Sequence, residues 1–208
     1  MQRSATQFDD VASTVFAPVY PVIAQQVVGH TGVMQGTCLD VGCGPGYLGA
    51  ALAELTELYI HFFDLSPDML TIAQRTIAAN KLEMRANTIQ GDVMAIALPD
   101  DSVSLVVSRG SIFFWQNVSE ALLEIYRVLA PDGWAYIGGG FGSRALQESI
   151  EITMRSIDNG EDRFKHRVRR NLNQESRGRF ETALKNTGIG SAYILHDEEI
   201  GMWIVMRK

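Results

Sequence analysis

Apolar residues along the chain recur at two periods, and the two alternate. Runs of strand length, rich in β-branched, aliphatic and aromatic residues, fall at Thr37–Val41, Leu58–Asp64, Asn87–Gln90, Val103–Ser108 and Trp134–Gly138. Between them lie stretches with helical spacing, beginning with Tyr47–Leu55. Ser66-Pro67 offers a cap followed by proline at the first helical position and predicts a helix running toward Asn80. Asn117, with Glu120 three residues on, resembles a capping box. Behind it, Val118, Ala121, Leu122, Ile125, Val128 and Leu129 form one apolar stripe. Pro131-Asp-Gly133 is a turn signal that stops this helix.

Strand, helix, strand, repeated, predicts an α/β fold in which a parallel sheet carries helices on both faces. The end of the chain reads differently. Tyr193–His196 and Met202–Met206 are short β-prone runs joined by the acidic turn Asp197-Glu-Glu199, a hairpin added to the sheet. The expectation is a Rossmann-like, doubly wound sheet of seven strands, mostly parallel with a C-terminal antiparallel hairpin. Without internal repeats, low-complexity segments or linkers, residues 1–208 read as one domain.

Composition narrows the classes. The chain has 208 residues, 46% hydrophobic and 20% charged, enough to bury one full core. No 18 consecutive residues are apolar, which speaks against a membrane span. Arg3 followed by Asp9 and Asp10 is not a secretory pattern, so a cytoplasmic location is expected. Cys38 and Cys43 sit too close along one strand and loop to bridge without distortion, lack zinc-ligand partners, and read as reduced thiols. No metal site is expected. A net charge of −6 argues against a dedicated nucleic-acid binder. That average hides an asymmetry. Seven of the 18 Lys and Arg residues lie between Arg163 and Arg179 against one acid, Glu175, so this segment carries +6 and the rest of the chain −12.

Chemistry gathers at Leu39-Asp-Val-Gly-Cys-Gly-Pro-Gly-Tyr-Leu-Gly49, which follows a predicted strand and opens a helix. Glycines there let backbone approach a ligand where a Cβ would clash, at the strand ends where open parallel sheets bind ligands. Two registers compete. Gly44, Gly46 and Gly49 spell the dinucleotide fingerprint, with Asp64 at the spacing of a ribose contact. Gly42, Gly44 and Gly46, preceded by Asp40, spell a G-x-G-x-G loop instead. Asp64 suits either ligand. Asp92-Val93 after the third strand adds an acid and a backbone N–H able to read an adenine edge, which a dinucleotide site needs less. No Tyr-x-x-x-Lys pair or His beside an acid marks a hydride-transfer centre.

Taken in order, Leu39–Gly46, Phe63–Ala73, Gln90–Leu98, Ser104–Trp115 and Val128–Gly138 resemble the motifs of class I S-adenosylmethionine-dependent methyltransferases. Ser108-Arg-Gly-Ser-Ile-Phe-Phe-Trp115 and Tyr136-Ile-Gly-Gly-Gly-Phe-Gly142 further resemble a subgroup of small, stand-alone prokaryotic members. The resemblance implies S-adenosylmethionine as cofactor and S-adenosylhomocysteine as product. Gly42, Cys43, Gly44 and Gly46 would pass under the methionine portion, with Asp40 holding the loop. Asp64 would take the ribose hydroxyls, Leu65 and Met69 would lie against the adenine, and Asp92 and Val93 would hold its edge. Ser108 would offer its carbonyl to the cofactor's amino group. Residues 1–36 would cover the cofactor, with Tyr20 reaching its carboxylate or the acceptor, and residues 141–190 would be a helical insertion before the hairpin.

Methyl transfer from a sulfonium needs alignment more than acid–base help, so no catalytic residue is singled out. The acceptor is expected beyond the fourth strand. Arg109 there would pair with an anionic substrate or the cofactor carboxylate. Phe113, Phe114 and Trp115 would wall the substrate pocket, with two of them packing under the N-terminal helix. No Asn/Asp-Pro-Pro-Tyr run follows that strand, which disfavours amino groups of nucleic acids and proteins, and two cysteines do not make an arsenite site. Gly138-Gly-Gly-Phe-Gly142 reads as a hinge or as close backbone packing. The basic segment reads as a solvated face, a lid over an acidic substrate, or an RNA patch poor in aromatics. A small-molecule methyltransferase is the leading expectation. An RNA or protein methyltransferase, or a nucleotide-binding protein or NAD-dependent dehydrogenase, are the alternatives.

Overall fold

The computed structural model describes residues 4–197 and 201–208. Helices α1 (Ala5–Thr14) and α2 (Val19–Thr31) precede β1 (Thr37–Val41), α3 (Tyr47–Leu55), β2 (Tyr59–Asp64), α4 (Pro67–Ala79), β3 (Ala86–Gln90) and β4 (Val103–Arg109). A single 3-10 turn at Ile112–Phe114 leads to α5 (Val118–Val128) and β5 (Leu129–Gly139). Then come α6 (Arg144–Ile157), α7 (Arg163–Asn171), α8 (Gln174–Thr187), β6 (Tyr193–Asp197) and β7 (Gly201–Arg207).

The strands form one sheet in the order β3-β2-β1-β4-β5-β7-β6. Pairings from β3 through β5 are parallel, and β7 runs antiparallel to both β5 and β6. The expected sheet, with its terminal hairpin, is present. Chain direction across the sheet reverses between β1 and β4, so the ends of those strands open a crevice.

Side-chain alternation sends the two strand faces into two cores. Cys38, Ile60, Phe62, Leu105, Val107, Tyr136, Trp203 and Val205 join α2, α3, α4, α6 and α7 on one side. Leu39, Val41, Phe63, Val106, Ala135, Ile137 and Ile204 join α5 and α8 on the other. In α5 the sequence stripe is the buried face: Ala121, Leu122, Ile125 and Val128 are all 0% exposed. Each buried Leu or Ile contributes about 1.5–3 kcal/mol relative to an exposed one. The starts are capped as the sequence indicates, with Ser66 Oγ accepting from Met69 N at 3.3 Å and Asn117 Oδ1 from Glu120 N at 3.2 Å.

Several strand boundaries shift by one residue from the sequence reading, and the largest difference is in β5. Leu129 leaves α5 and starts β5, pairing with Val103. Trp134 then pairs with Leu105, so residues 130–133 bulge opposite Ser104 alone, with Asp132 at φ 63°. The Pro131–Gly133 turn thus lies inside β5, because Leu129 is itself needed in the core. Of the acidic hairpin turn, Asp197 ends β6, and residues 198–199 lie outside the described residues. Among the described residues no single helix is long and apolar enough to cross a membrane.

Candidate functional site

The loop after β1 is held by backbone. Gly42 N and Cys43 N both donate to the Phe63 carbonyl of β2, at 2.7 and 3.1 Å, and Gly46 N donates to the Cys43 carbonyl at 2.9 Å. Gly42, Gly44 and Gly46 all have positive φ, 64°, 53° and 86°, the left-handed region that favours glycine. The third glycine of the competing frame, Gly49, is helical, and a Cβ there would lie 2.5 Å from the Phe62 ring. Its glycine serves close helix–sheet packing.

Asp64 joins β2 to this loop. Its Oδ2 accepts from Gly44 N and its Oδ1 from Ser66 N, both at 2.9 Å. Asp40, 2% exposed, accepts from Gly49 N at 3.0 Å. Burial pushes its carboxyl up to about 7; the Gly49 bond opposes this and the nearby Asp64 charge adds to it. Both cysteines are free thiols, and burial pushes each well above the ordinary thiol value, so neither is poised as a nucleophile.

Beyond β2, Leu65 is 66% exposed and Met69 is half-buried on α4. After β3, Asp92 Oδ1 accepts from Met94 N at 2.9 Å, while Val93 belongs to the α5-side core. That loop is pinned by residues the sequence reading missed. Arg127 donates to the carbonyls of Ile96 and Leu98 at 2.7 and 3.0 Å, and Glu124 accepts from Ile96 N at 3.0 Å. The Arg127 hydrogen bond holds the Glu124 carboxyl below its ordinary value.

At the end of β4, Ser108 is fully buried and its hydroxyl lies 2.6 Å from that of Ser111. Ser111 donates to the Val41 carbonyl at 3.2 Å, and a Cβ on Gly42 would come 2.3 Å from Ser111 Cβ. Ser111 therefore sets the floor of the loop, a role that pairing of distant strands creates and local sequence does not display. Arg109 donates to the Gly140 carbonyl at 3.1 Å. Its guanidinium stands over the rings of Phe16, Tyr20 and Phe141 at 5.4, 5.5 and 5.8 Å. Burial lowers its pKa from the ordinary value, and burial raises that of Tyr20 against the opposing pull of Arg109.

Helices α1 and α2 meet at 75° over the loop. Phe8 approaches the Gly44 position at 3.6 Å, and Tyr47 donates to Asp9 at 2.7 Å. The capping box Ser4–Gln7, readable in the sequence, starts α1. Pro18 caps α2, whose first turn contains Pro21.

Of the three aromatics after β4, none packs under the N-terminal helices. Phe113 and Trp115 turn into the α5-side core, Phe113 lying 5.9 Å from Phe180 of α8, and Phe114 is 79% exposed. The place expected for them is taken by Phe16, Phe141 and Phe164, with Phe16 stacked on Phe141 and Phe164 edge-on to both. In the glycine run, Gly138, inside β5, is closely packed. A Cβ on Gly138 would lie 2.1 Å from the Met202 carbonyl oxygen.

A glycine loop at the β1–β4 crevice, a β2-end carboxylate bonded to it and helices folded across it define a nucleotide-type site on a seven-stranded methyltransferase sheet. A methyltransferase-domain family profile matches residues 39–137. A crystal structure from Methanococcus maripaludis, assigned as an S-adenosyl-L-methionine-dependent methyltransferase, is 39% identical. It superposes with a TM-score of 0.93 over 100% of this chain and 97% of that one. The uncharacterized methyltransferase YdaC of Bacillus subtilis is 28% identical over 129 residues, 61% of this chain and 69% of that protein. A malonyl-[acyl-carrier protein] O-methyltransferase of Halorhodospira halophila is 34% identical over 111 residues, 53% of this chain but only 36% of that protein. The chain belongs to the S-adenosylmethionine-dependent methyltransferases.

Proposed function

We propose that this protein transfers the methyl group of S-adenosylmethionine to a small-molecule acceptor. The observation that carries the cofactor part is the pairing of Asp64 with Gly44 N, which sets a carboxylate beside a loop of three positive-φ glycines. The donor set fits the group. Each Asp64 oxygen holds one backbone N–H and keeps a second lone pair for a ribose hydroxyl. Tyr20 and Arg109 offer a hydroxyl and a cation for a carboxylate, and Asp92 and Leu65 flank the β3 side for an adenine. Bound there, the cofactor would supply an electrophilic methyl on sulfur together with its own leaving group.

The protein's part is then to orient and to exclude water. Loop glycines admit the ligand to the backbone, and Phe8 and Tyr47 hold α1 over it. Positioning of this kind can supply up to about 7–11 kcal/mol of barrier reduction without a catalytic base. A small acceptor is supported by Leu172, between α7 and α8, which stands against Gly139 at the end of β5, and by the net charge of −6. Arg163, Lys165 and Arg177 of the basic segment are paired with Glu161, Glu151 and Glu181, which leaves less free charge for an RNA backbone.

Isothermal calorimetry tests this. S-adenosylhomocysteine is expected to bind, and Asp64→Ala to weaken it at least tenfold, about 1.4 kcal/mol. Binding of NAD but not S-adenosylhomocysteine, or an affinity indifferent to Asp64→Ala, would overturn the cofactor assignment. Transfer of labelled methyl to tRNA or protein, with none to pooled small metabolites, would overturn the acceptor class.

A further inference from the structure

A cavity of about 320 Å³ lies where α7 gives way to α8, lined by Phe113, Arg170, Asn171, Glu175, Ser176 and Arg179. Its walls come from the basic segment and from the 3-10 turn after β4, two places far apart in sequence. Phe113 links it to the sheet, since a Cβ on Gly139, at the end of β5, would lie 2.8 Å from the Phe113 ring. Two residues before Phe113, Ser111 packs against Gly42 of the cofactor loop. The cavity therefore stands one short turn away from the ligand crevice.

Its charge is uneven in an informative way. Among the described residues, the exposed guanidiniums of Arg170 and Arg179 have no acidic partner, whereas Arg163, Lys165 and Arg177, outside the cavity, each have one. Glu175 on the lining cancels one of the two charges, leaving a net positive hollow. The backbone between the two arginines is braced. Ser176, 8% exposed, donates from its hydroxyl to the Arg170 carbonyl at 3.0 Å and from its N–H to Asn173 Oδ1 at 2.9 Å, which locks the end of α7 onto the start of α8. Two forked donors on a braced turn, with an aromatic wall and an amide beside them, match a planar or tetrahedral oxyanion.

We propose that this cavity is the acceptor's anion subsite: Arg170 and Arg179 hold a phosphate or carboxylate of the substrate while its other end reaches past Phe113 toward the methyl donor. The assignment rests on the small-molecule methyltransferase reading and narrows it to anionic acceptors. Glu175 would meet a hydroxyl or amine of the same molecule.

Calorimetric titrations of the full chain with pyrophosphate and, separately, succinate, in the presence of saturating S-adenosylhomocysteine, test it. At least one anion is expected to bind saturably, at least tenfold more weakly to R170Q/R179Q and with unchanged affinity to R163Q/R177Q. Affinity for S-adenosylhomocysteine is expected to be the same in all three proteins. Binding of pyrophosphate alone would indicate a phosphorylated acceptor, and of succinate alone a carboxylate. The proposal fails if neither anion binds a wild-type protein that binds S-adenosylhomocysteine. It also fails if the two double variants weaken anion binding equally, or if the segment instead binds tRNA through both pairs alike. Loss of S-adenosylhomocysteine binding by the wild type would sink the methyltransferase reading and leave the anion measurement legible by itself.

Discussion

Asp40 and Asp64 share one loop network, yet the fold treats them differently. Asp64 reaches two backbone donors at the C-terminal end of β2, while Asp40 is sealed behind the loop with one donor, Gly49. Burial raises the Asp40 carboxyl from 3.8 to about 7, so between those values the folded chain holds a proton that the unfolded chain has released. Stability from this group is therefore full below about pH 4 and declines as pH rises through 7. Asp40→Asn keeps an acceptor for Gly49 N and removes the titration. Urea unfolding is expected to find the variant gaining on the wild type from pH 5 to pH 8, and a pH-independent difference would contradict the buried acid. Asp64 was readable as a strand-end acid because its place follows from local pattern. Ser111 and Phe8 were not, because their importance arises only where β4 and α1 arrive beside the glycine loop.

At the scale of elements, the glycine run that ends β5 separates two kinds of crowding. A Cβ on Gly138 would strike the Met202 carbonyl oxygen at 2.1 Å and Trp203 Cα at 2.8 Å, both backbone of β7. On Gly139 it would meet the Phe113 ring, a side chain that can turn. Gly138→Ala is expected to lower stability by about 1–3 kcal/mol in thermal unfolding, and Gly139→Ala by clearly less. Equal losses would mean that β7 is less firmly seated than its register implies. Element order and type were legible because hydrophobic period is strong in α5 and in the buried strands. The bulge in β5 was not, since Pro131-Asp-Gly133 is an ordinary helix stop until Leu129 is drawn into the sheet. The fate of the basic segment was equally hidden. Only Phe164 and Val168 anchor α7, and only Phe180, Ala183 and the half-hidden Leu184 anchor α8, too few apolar positions to reveal which side each would choose.

Across the molecule, those sparse anchors fall on opposite sides of the sheet, Phe164 in one core and Phe180 in the other. Phe164 and Phe180 belong to different cores, one on each face of the sheet, so the conservative variants Phe164→Leu and Phe180→Leu, each costing about 1 kcal/mol, are expected to add within about 0.5 kcal/mol in denaturant melts. Coupling well above that would mean that the two layers respond as one. Leu172, between α7 and α8, packs against both cores at once and so ties the turn down over Gly139 at the end of β5. A crossbeam fixed at both ends need not swing to admit a substrate, and its outward residues are free of the task of holding it in place. Support and selectivity are thereby assigned to different positions of one segment. Exchange of the outward residues between 170 and 179 with those of a related enzyme, leaving Phe164, Val168, Leu172 and Phe180 untouched, would carry acceptor preference across as a cassette.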